Sequence, residues 1–441
     1  MRHVRLQRYP AYKDSGVEWI GEIPDGWEVT KLKNISKIVN GATPSSSVPS
    51  NWEGDVLWVT PAEINNILFL KSSVRKITTK GLYSCGTSLV PEGSIILTTR
   101  APIGKTAIAA KELCTNQGCK SIVVKSGIPS FLNYQIASQT KVLNSLGKGT
   151  TFMELGNSEL KNFLIPFPPL AEQTAIANFL DEKCGKIDVA VAQKEKMVEL
   201  LKERKQIVIQ NAVTKGLNPN AKMKDSGVEW IGEIPDHWET KRAKYLFFEA
   251  NDRTIDGTEE LLSVSHMTGV TSRSEKDVNM FLAEDYTGSK LCKKGDVVYN
   301  IMWAWMGALG VSGIAGIVSP SYGVYRPFKQ NSFNPFYLEE LLKGPEYVTH
   351  YNKVSTGLHS SRLRFYAHMF FNMEIGFPSK VEQDKIVEYI QIQTNKIDKA
   401  IALQQQLIEK LKEYKATLIN SAVTGKIKVN GNFVTQGTEV P

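Results

Sequence analysis

Asn334-Pro335-Phe336-Tyr337 carries the strongest suggestion of chemistry in this chain. A tetrapeptide of this type holds a flipped adenine in amino-methyltransferases, where the Asn binds the amino group and the aromatic ring stacks on the base. Such an enzyme also needs a Gly-containing βαβ region for S-adenosylmethionine, and none is evident. A Pro near a helix N-terminus is also an ordinary structural choice. Other candidates fail on spacing. Gly104-Lys105-Thr106 ends like a phosphate loop, but Thr99 stands where the first glycine belongs. Gly307, Gly310, Gly313 and Gly316 have no βαβ dinucleotide unit around them. Pro235-Asp236 with Glu239-Thr240-Lys241 has the residue types of a metal-dependent nuclease, with too short a gap to place them on adjacent strands. Cys85, Cys114, Cys119, Cys184 and Cys292 form no Cys-x-x-Cys pair and complete no zinc set with a nearby His. They read as free thiols of a reducing compartment.

Binding chemistry is the better-supplied alternative. Loops in residues 28–166 offer Thr43, Ser45, Thr98, Thr99, Arg100, Lys105, Asn116, Gln117, Lys148, Thr150 and Thr151. Loops in residues 239–377 offer Arg273, Trp303, Trp305, Ser319, Tyr322, Ser355, Thr356, His359, Ser360, Arg362 and Arg364. These hydroxyl, amide, cationic and aromatic groups are the ones that contact phosphates and base edges. Gly147-Lys148-Gly149-Thr150-Thr151 and the Ser355–Arg362 run hold equivalent places, near 208 residues apart, and a Gly loop with hydroxyls and a base can approach a DNA backbone closely. The 441 residues carry 53 Lys and Arg against 45 Asp and Glu, a net charge of +8 that suggests an anionic partner without establishing one.

The elements that must position these groups come from a duplication. Lys13–Trp27 reads KDSGVEWIGEIPDGW and Lys224–Trp238 reads KDSGVEWIGEIPDHW, one difference in the whole segment. Pro168, Glu172, Gln173 and Ile176 return as Pro378, Glu382, Gln383 and Ile386. Ala212-Val213-Thr214 returns as Ala422-Val423-Thr424. The stretches between these anchors share a faint strand rhythm and little identity. Two nearly fixed frames therefore carry two different inserts. A duplicated enzyme would be expected to repeat its chemical residues instead.

After each Pro pair or Pro-Ser the frame takes up a heptad spacing. The first stripe contains Leu180, Ile187, Val191, Val198, Leu201 and Val208; the second contains Ile390, Ile397, Ile401, Ile408, Leu411 and Leu418. A 4-3 stripe makes a seam for another helix. The simplest arrangement pairs the two helices as an antiparallel coiled coil, with Lys194, Lys205, Gln404 and Lys415 in the stripe setting register. Residues 181–205 carry six acidic and seven basic side chains, which makes a salt-bridging solvated surface. Gly216 and Gly425 are placed to end the helices. The frame is also cyclic: the last helix has no KDSGVEWIGEIPD segment after it, and the first such segment has no helix before it. If the two ends fold together, the object closes with pseudo-two-fold symmetry.

Within the inserts, short apolar runs at Val56–Thr60, Ser94–Thr98, Ser121–Lys125, Asp296–Asn300 and Gly323–Arg326 read as strands, with short helices at 130–145 and 335–351. The fold class is α+β: two mixed α/β globules joined by two long helices. The expected divisions are 1–27, 28–166, 167–217, 218–238, 239–377, 378–425 and a tail at 426–441. No apolar run is long enough for a membrane span. MRHVRLQRYP lacks the apolar stretch of a secretory signal, so a cytoplasmic protein is expected.

This arrangement resembles the specificity subunit of type I restriction–modification systems, over nearly the whole chain. The resemblance rests on the two Lys–Trp segments, on Pro168–Ile176 (PPLAEQTAI) and on Glu382–Ile386 (EQDKI). Gly41-Ala42-Thr43-Pro44-Ser45 and Asn51-Trp52 to Trp58-Val59-Thr60 look like the opening of such a recognition domain, with Gly41-Ala42 where a Gly-Gly pair is frequent. The resemblance implies two target recognition domains, each reading one half of a split, asymmetric site in double-stranded DNA. It implies helices that fix the gap between the halves. Sites about one helical turn apart, near 34 Å, suit a rod of roughly 50 Å. It further implies that this chain binds no cofactor and performs no catalysis. Two modification subunits would methylate adenine N6 with S-adenosylmethionine, and restriction subunits would use ATP and Mg. A stand-alone adenine methyltransferase and a coiled-coil scaffold that ignores DNA remain as alternatives.

Overall fold

The computed structural model describes residues 7–65, 68–149, 153–275, 285–357 and 363–429. They divide into two units, one of residues 1–195 with 406–441 and one of residues 196–405. Each unit holds one insert, one frame segment and a stretch of both long helices.

The long helices are α1 (Leu170–Lys215, 46 residues) and α2 (Lys380–Val423, 44 residues). Neither contains a proline, so no backbone N–H is missing from the ladder. Gly216 and Gly425 follow them with φ of 73° and 74°, the left-handed conformation that ends a helix cheaply only at glycine. In the first unit Lys415 Nζ lies 2.6 Å from Asp188 and Lys412 Nζ 3.8 Å from Glu195. Numbers rise along one helix as they fall along the other, so the pair is antiparallel. In the second unit Lys205 Nζ lies 2.8 Å from Asp398, while Ile209, Ala212 and Val213 share a core with Ile386, Val387 and Ile390. That is the same antiparallel sense. Leu180, Ile187, Val198, Ile390, Ile397, Ile408 and Leu418 are buried, and Val191, Leu201, Val208, Ile401 and Leu411 are half-buried. The stripe lysines Lys205 and Lys415 thus keep their stems on the seam and their charges on aspartates. Both pairs are partly solvated, so each contributes modestly. Lys205→Asp is expected to lower stability by up to about 1 kcal/mol, and adding Asp398→Lys to restore it; urea midpoints of the two variants check this.

The frame segments fold as hairpins, Tyr12–Asp14 with Glu22–Pro24 and Met223–Asp225 with Glu233–Pro235. Gly16 and Gly21 turn the first at φ of 70° and 69°, and Gly227 and Gly232 turn the second at 76° and 70°. Each hairpin delivers a fully buried tryptophan to a glutamate of a long helix. Trp27 Nε1 donates to Glu172 Oε2 at 2.9 Å, and Trp238 Nε1 donates to Glu382 Oε1 at 3.1 Å. In the first unit Tyr9 Oη also donates to Glu172, at 2.8 Å; in the second His237 Nε2 lies 2.9 Å from Glu382. The cyclic closure is present: Gln7 and Lys428 form a backbone bridge, and Tyr12 Oη donates to Gly425 O at 3.1 Å.

Each insert enters and leaves through one antiparallel neck. Glu28–Lys31 pairs with Leu164–Phe167, and Glu239–Arg242 pairs with Glu374–Phe377. Above the first neck stands a five-stranded sheet in the order Ser36–Asn40, Cys119–Val124, Ile95–Thr98, Thr106–Ala109, Phe69–Leu70. A second sheet places Trp52–Val59 between Cys114–Thr115 and Arg75–Ile77. Above the second neck a four-stranded sheet runs Phe247–Glu249, Gly323–Pro327, Val297–Tyr299, Leu309–Val311, with two-stranded pairs beside it. The helical stretches each split in two. Pro129–Ser138 and Thr140–Ser145 break at Gln139, and Pro335–Leu342 and Pro345–Val354 break at Lys343-Gly344, where Pro345 opens the next helix.

The Asn334–Tyr337 tetrapeptide proves to be a helix start. Asn334 Oδ1 accepts from the N–H groups of Phe336 and Tyr337, and its Nδ2 donates to Asp384 at 2.7 Å. Tyr337 is fully buried, with its hydroxyl donating to Val213 O at 3.0 Å. Neither group is free to hold a base. Pro335 takes the place of Pro129, each opening the first of the two helices in its unit. Gln173 and Gln383, both fully buried, accept from the Ile128 and Asn334 N–H groups and fasten these helix starts to the frame.

Candidate nucleic-acid interface

In each unit one strand ends beside a loop closed by a two-way backbone bridge. In the first, Lys148 and Glu154 exchange hydrogen bonds of 3.0 and 2.9 Å, and the Leu155 N–H donates to Thr99 O at 2.9 Å. In the second, Thr356 and Arg364 exchange bonds of 3.2 and 2.9 Å, and the Phe365 N–H donates to Ile301 O at 2.9 Å. The bridges at Lys148 and Thr356 are therefore equivalent in structure. Thr150, Thr151, His359, Ser360 and Arg362 lie outside the described residues.

Around the first loop the exposed polar groups are Thr43, Ser45, Arg100, Lys105, Gln117 and Lys148. Thr43 Oγ1 donates to Gln117 Oε1, joining two separate loops. Asn116 accepts from the Gly118 N–H at 2.9 Å and shapes the turn that presents Gln117. Arg100, Gln117, Lys120, Glu154 and Asn157 line one cleft of about 270 Å3. Arg100 reaches Glu154 at 3.0 Å, Lys148 reaches Glu159 at 2.6 Å, and Lys105 donates to Asn65 at 3.2 Å. Exposed ion pairs of this kind hold weakly and exchange readily for phosphate. Thr98 and Thr99 depart from expectation: both are fully buried, with hydroxyls donating to Pro102 O and Gly118 O. They shape the turn and offer nothing to a ligand. Lys120 was not foreseen, because a lysine within an apolar strand run reads as an outward residue. Its ammonium lies 2.8 Å from Leu155 O and 3.5 Å from Glu154, and burial holds its pKa below the ordinary lysine value.

Around the second loop, Trp303 and Trp305 stack with centroids 6.0 Å apart. Ser319 and Tyr322 form one turn, and the Tyr322 hydroxyl accepts from Asn300 Nδ2 at 3.0 Å. Arg273 lies close enough for its charge to act on that phenol, although burial still raises its pKa. Ser355 and Arg364 are half-buried and Thr356 is exposed. Asn300 was also unforeseen; it ends an apolar strand, a position with no distinguishing sequence signal.

Four of the five cysteines are buried. Burial pushes the Cys114 and Cys184 thiols up to about 11 and the Cys119 and Cys292 thiols up to about 12, so none is a thiolate near neutrality. Among the described residues no His, Cys, Asp and Glu cluster is placed to hold a metal, and no helix is long and apolar enough to cross a membrane.

A family model described as the type I restriction modification DNA specificity domain matches residues 24–198. The chain is 38% identical over 189 residues to the specificity subunit of the type I restriction enzyme MjaIX of Methanocaldococcus jannaschii, a match covering 42% of this chain and 43% of that one. It is 24% identical over 429 residues to the MjaVIII specificity subunit of the same organism, covering 93% of this chain and 95% of that one. The chain thus spans less than half of the first relative and nearly all of the second. Its fold matches a chain from a structure described as the basis of complex assembly and conformational transition of the type I R-M system. That match has a TM-score of 0.63 at 16% identity and covers 91% of this chain and 98% of the other. A duplicated frame, two dissimilar inserts and these likenesses converge: residues 24–198 match the type I restriction modification DNA specificity domain, and the chain is similar to type I specificity subunits along nearly its whole length.

Proposed function

We propose that this chain selects the DNA site of a type I restriction–modification complex and leaves the chemistry to its partners. Each insert reads one half of a bipartite, asymmetric site in double-stranded DNA. The paired helices set the spacer and dock two modification subunits, which methylate adenine N6 with S-adenosylmethionine. Restriction subunits supply the ATP- and Mg-dependent steps. The observation that carries this reading is a contrast between fastening and surface. The fastening is repeated: neck ladder, Trp–Glu bond, buried Gln and Lys–Asp pair. The loops at equivalent places differ, with Arg100 and Glu154 in one unit where Met302 and Arg364 stand in the other. Identical readers would demand a palindrome, and different readers on identical mounts do not.

The methyltransferase alternative loses support because Asn334 is a helix cap and Tyr337 is buried. The test is co-expression with a cognate modification subunit, followed by mapping of methylated adenines. A split, asymmetric motif is the expected result. An unsplit palindrome, or methyl transfer by the purified chain alone, refutes the reading. Indifference to DNA sequence favours the scaffold instead.

A further inference from the structure

The links that leave the two equivalent strands have opposite chemistry. In the first unit, Ile95–Thr98 leads to Thr106–Ala109 through Arg100-Ala101-Pro102-Ile103-Gly104-Lys105. In the second, Val297–Tyr299 leads to Leu309–Val311 through Met302-Trp303-Ala304-Trp305-Met306-Gly307. Both links contain a left-handed glycine, Gly104 at φ 99° and Gly307 at φ 79°. The first presents two cations and the second an apolar surface: Trp303 is 47% exposed, Met306 40% and Met302 36%.

This surface is built rather than loose. Ala304 is fully buried in the core and anchors the turn from beneath. Trp305 Nε1 donates to Met302 O at 3.0 Å, so its polar edge is satisfied inside the link. The two indoles lie 27° from parallel, too close together to clamp a base between them and suited to act as one plate. Cations border it: Phe365 N–H on Ile301 O sets its neighbour Arg364 beside the start of the link, and the charge of Arg273 lies near Tyr322, whose hydroxyl accepts from Asn300 just before the link. A flat apolar plate edged by cations fits a partner that combines anionic backbone with isolated apolar groups. In the major groove of an intact duplex that apolar group is the thymine 5-methyl. A wedge between base pairs would also use such residues, but it must first unstack a step, and a methyl contact need not.

We propose that Trp303 and Trp305, with Met302 and Met306, form a platform that reads thymine 5-methyl groups in the half-site bound by the second unit. This rests on the reading that the inserts bind DNA. The test uses the complex of this chain with its modification subunits and duplexes bearing the mapped site. Deoxyuridine replaces thymidine throughout one half-site at a time. Affinity is expected to fall about fourfold for each contacted methyl in the half-site of the second unit, the loss expected for one buried methyl group. The same exchange in the other half-site should change little. In Trp303→Ala and Trp305→Ala the thymidine/deoxyuridine ratio should collapse toward one, with complex assembly by size exclusion retained. Equal affinities for the two duplexes in the unmodified protein overturn the platform, as does a ratio that survives both substitutions. Brightening of 2-aminopurine placed in that half-site reports an opened step and also overturns it. If methylation mapping yields no bipartite site at all, the underlying reading falls first.

Discussion

Exchanging residues 32–163 for the insert of another specificity subunit is expected to change one half of the methylated site and leave the other half and the spacer unaltered. The neck makes this exchange feasible. Lys31 faces Leu164 and Glu28 faces Phe167 in an antiparallel ladder, so the ends of the insert are neighbours about 5 Å apart. An insert with adjacent ends can be replaced without moving the frame. The demands on the graft are specific. Gln173 Oε1 must find an N–H like that of Ile128, and Gln135 Nε2 donates to Pro166 O at 2.7 Å. Tyr134 Oη donates to Asp181 at 2.7 Å. A graft that leaves the buried Gln173 carbonyl unpaired should lose about 1–3 kcal/mol. Methylation mapping reads the specificity and a urea titration reads the cost. A change in both half-sites, or a shifted spacer, contradicts the assignment of reading to the inserts and spacing to the frame.

The frame was legible because repetition is a signal that needs no structure. The two KDSGVEWIGEIPD segments, the Glu-Gln pairs and the 4-3 stripe each recur at one period, and the structure gives each recurrence the same mechanical role. The stripe names the seam residues in its middle and misses buried neighbours toward its ends. Val208 is half-buried while its neighbour Ile209 is buried, and Phe179 is buried beside Leu180. A stripe of period 3.5 holds only where a helix faces a helix; against a globule the straight helix drifts toward its own 3.6 period. The inserts were less legible. Thr99 and Gln117 are both polar residues beside apolar strands, yet Thr99 is fully buried and Gln117 is exposed. What separates them is the Gly118 carbonyl folded over Thr99, a contact between residues 19 apart in sequence. Composition names the groups able to bind; only tertiary contacts decide which ones face outward.

A seven-residue insertion in α1 between residues 195 and 196, matched by one in α2 between residues 407 and 408, is expected to lengthen the spacer and leave both half-sites as they are. The matched position follows from the pairing of Asp188 with Lys415 and of Lys205 with Asp398. A heptad preserves the phase of the seam, so each ion pair stays within its unit. Seven residues at 1.5 Å each add about 10 Å, close to three base pairs. An insertion in α1 alone has no matching length in α2 and must loop out or separate one of the two lysine–aspartate pairs. Twist opposes the change even in the matched variant. Three base pairs carry one half-site around the duplex by about 100°, whereas a heptad turns the seam by only about 20°. Methylation at the new optimum should therefore be slower than that of the parent complex at its own. A library with the spacer varied one base pair at a time separates length from twist: the preferred spacer should move by two to three positions, with both half-site sequences constant. An unmoved optimum refutes the helices as the ruler, and altered half-site bases refute the separation of ruler from reader.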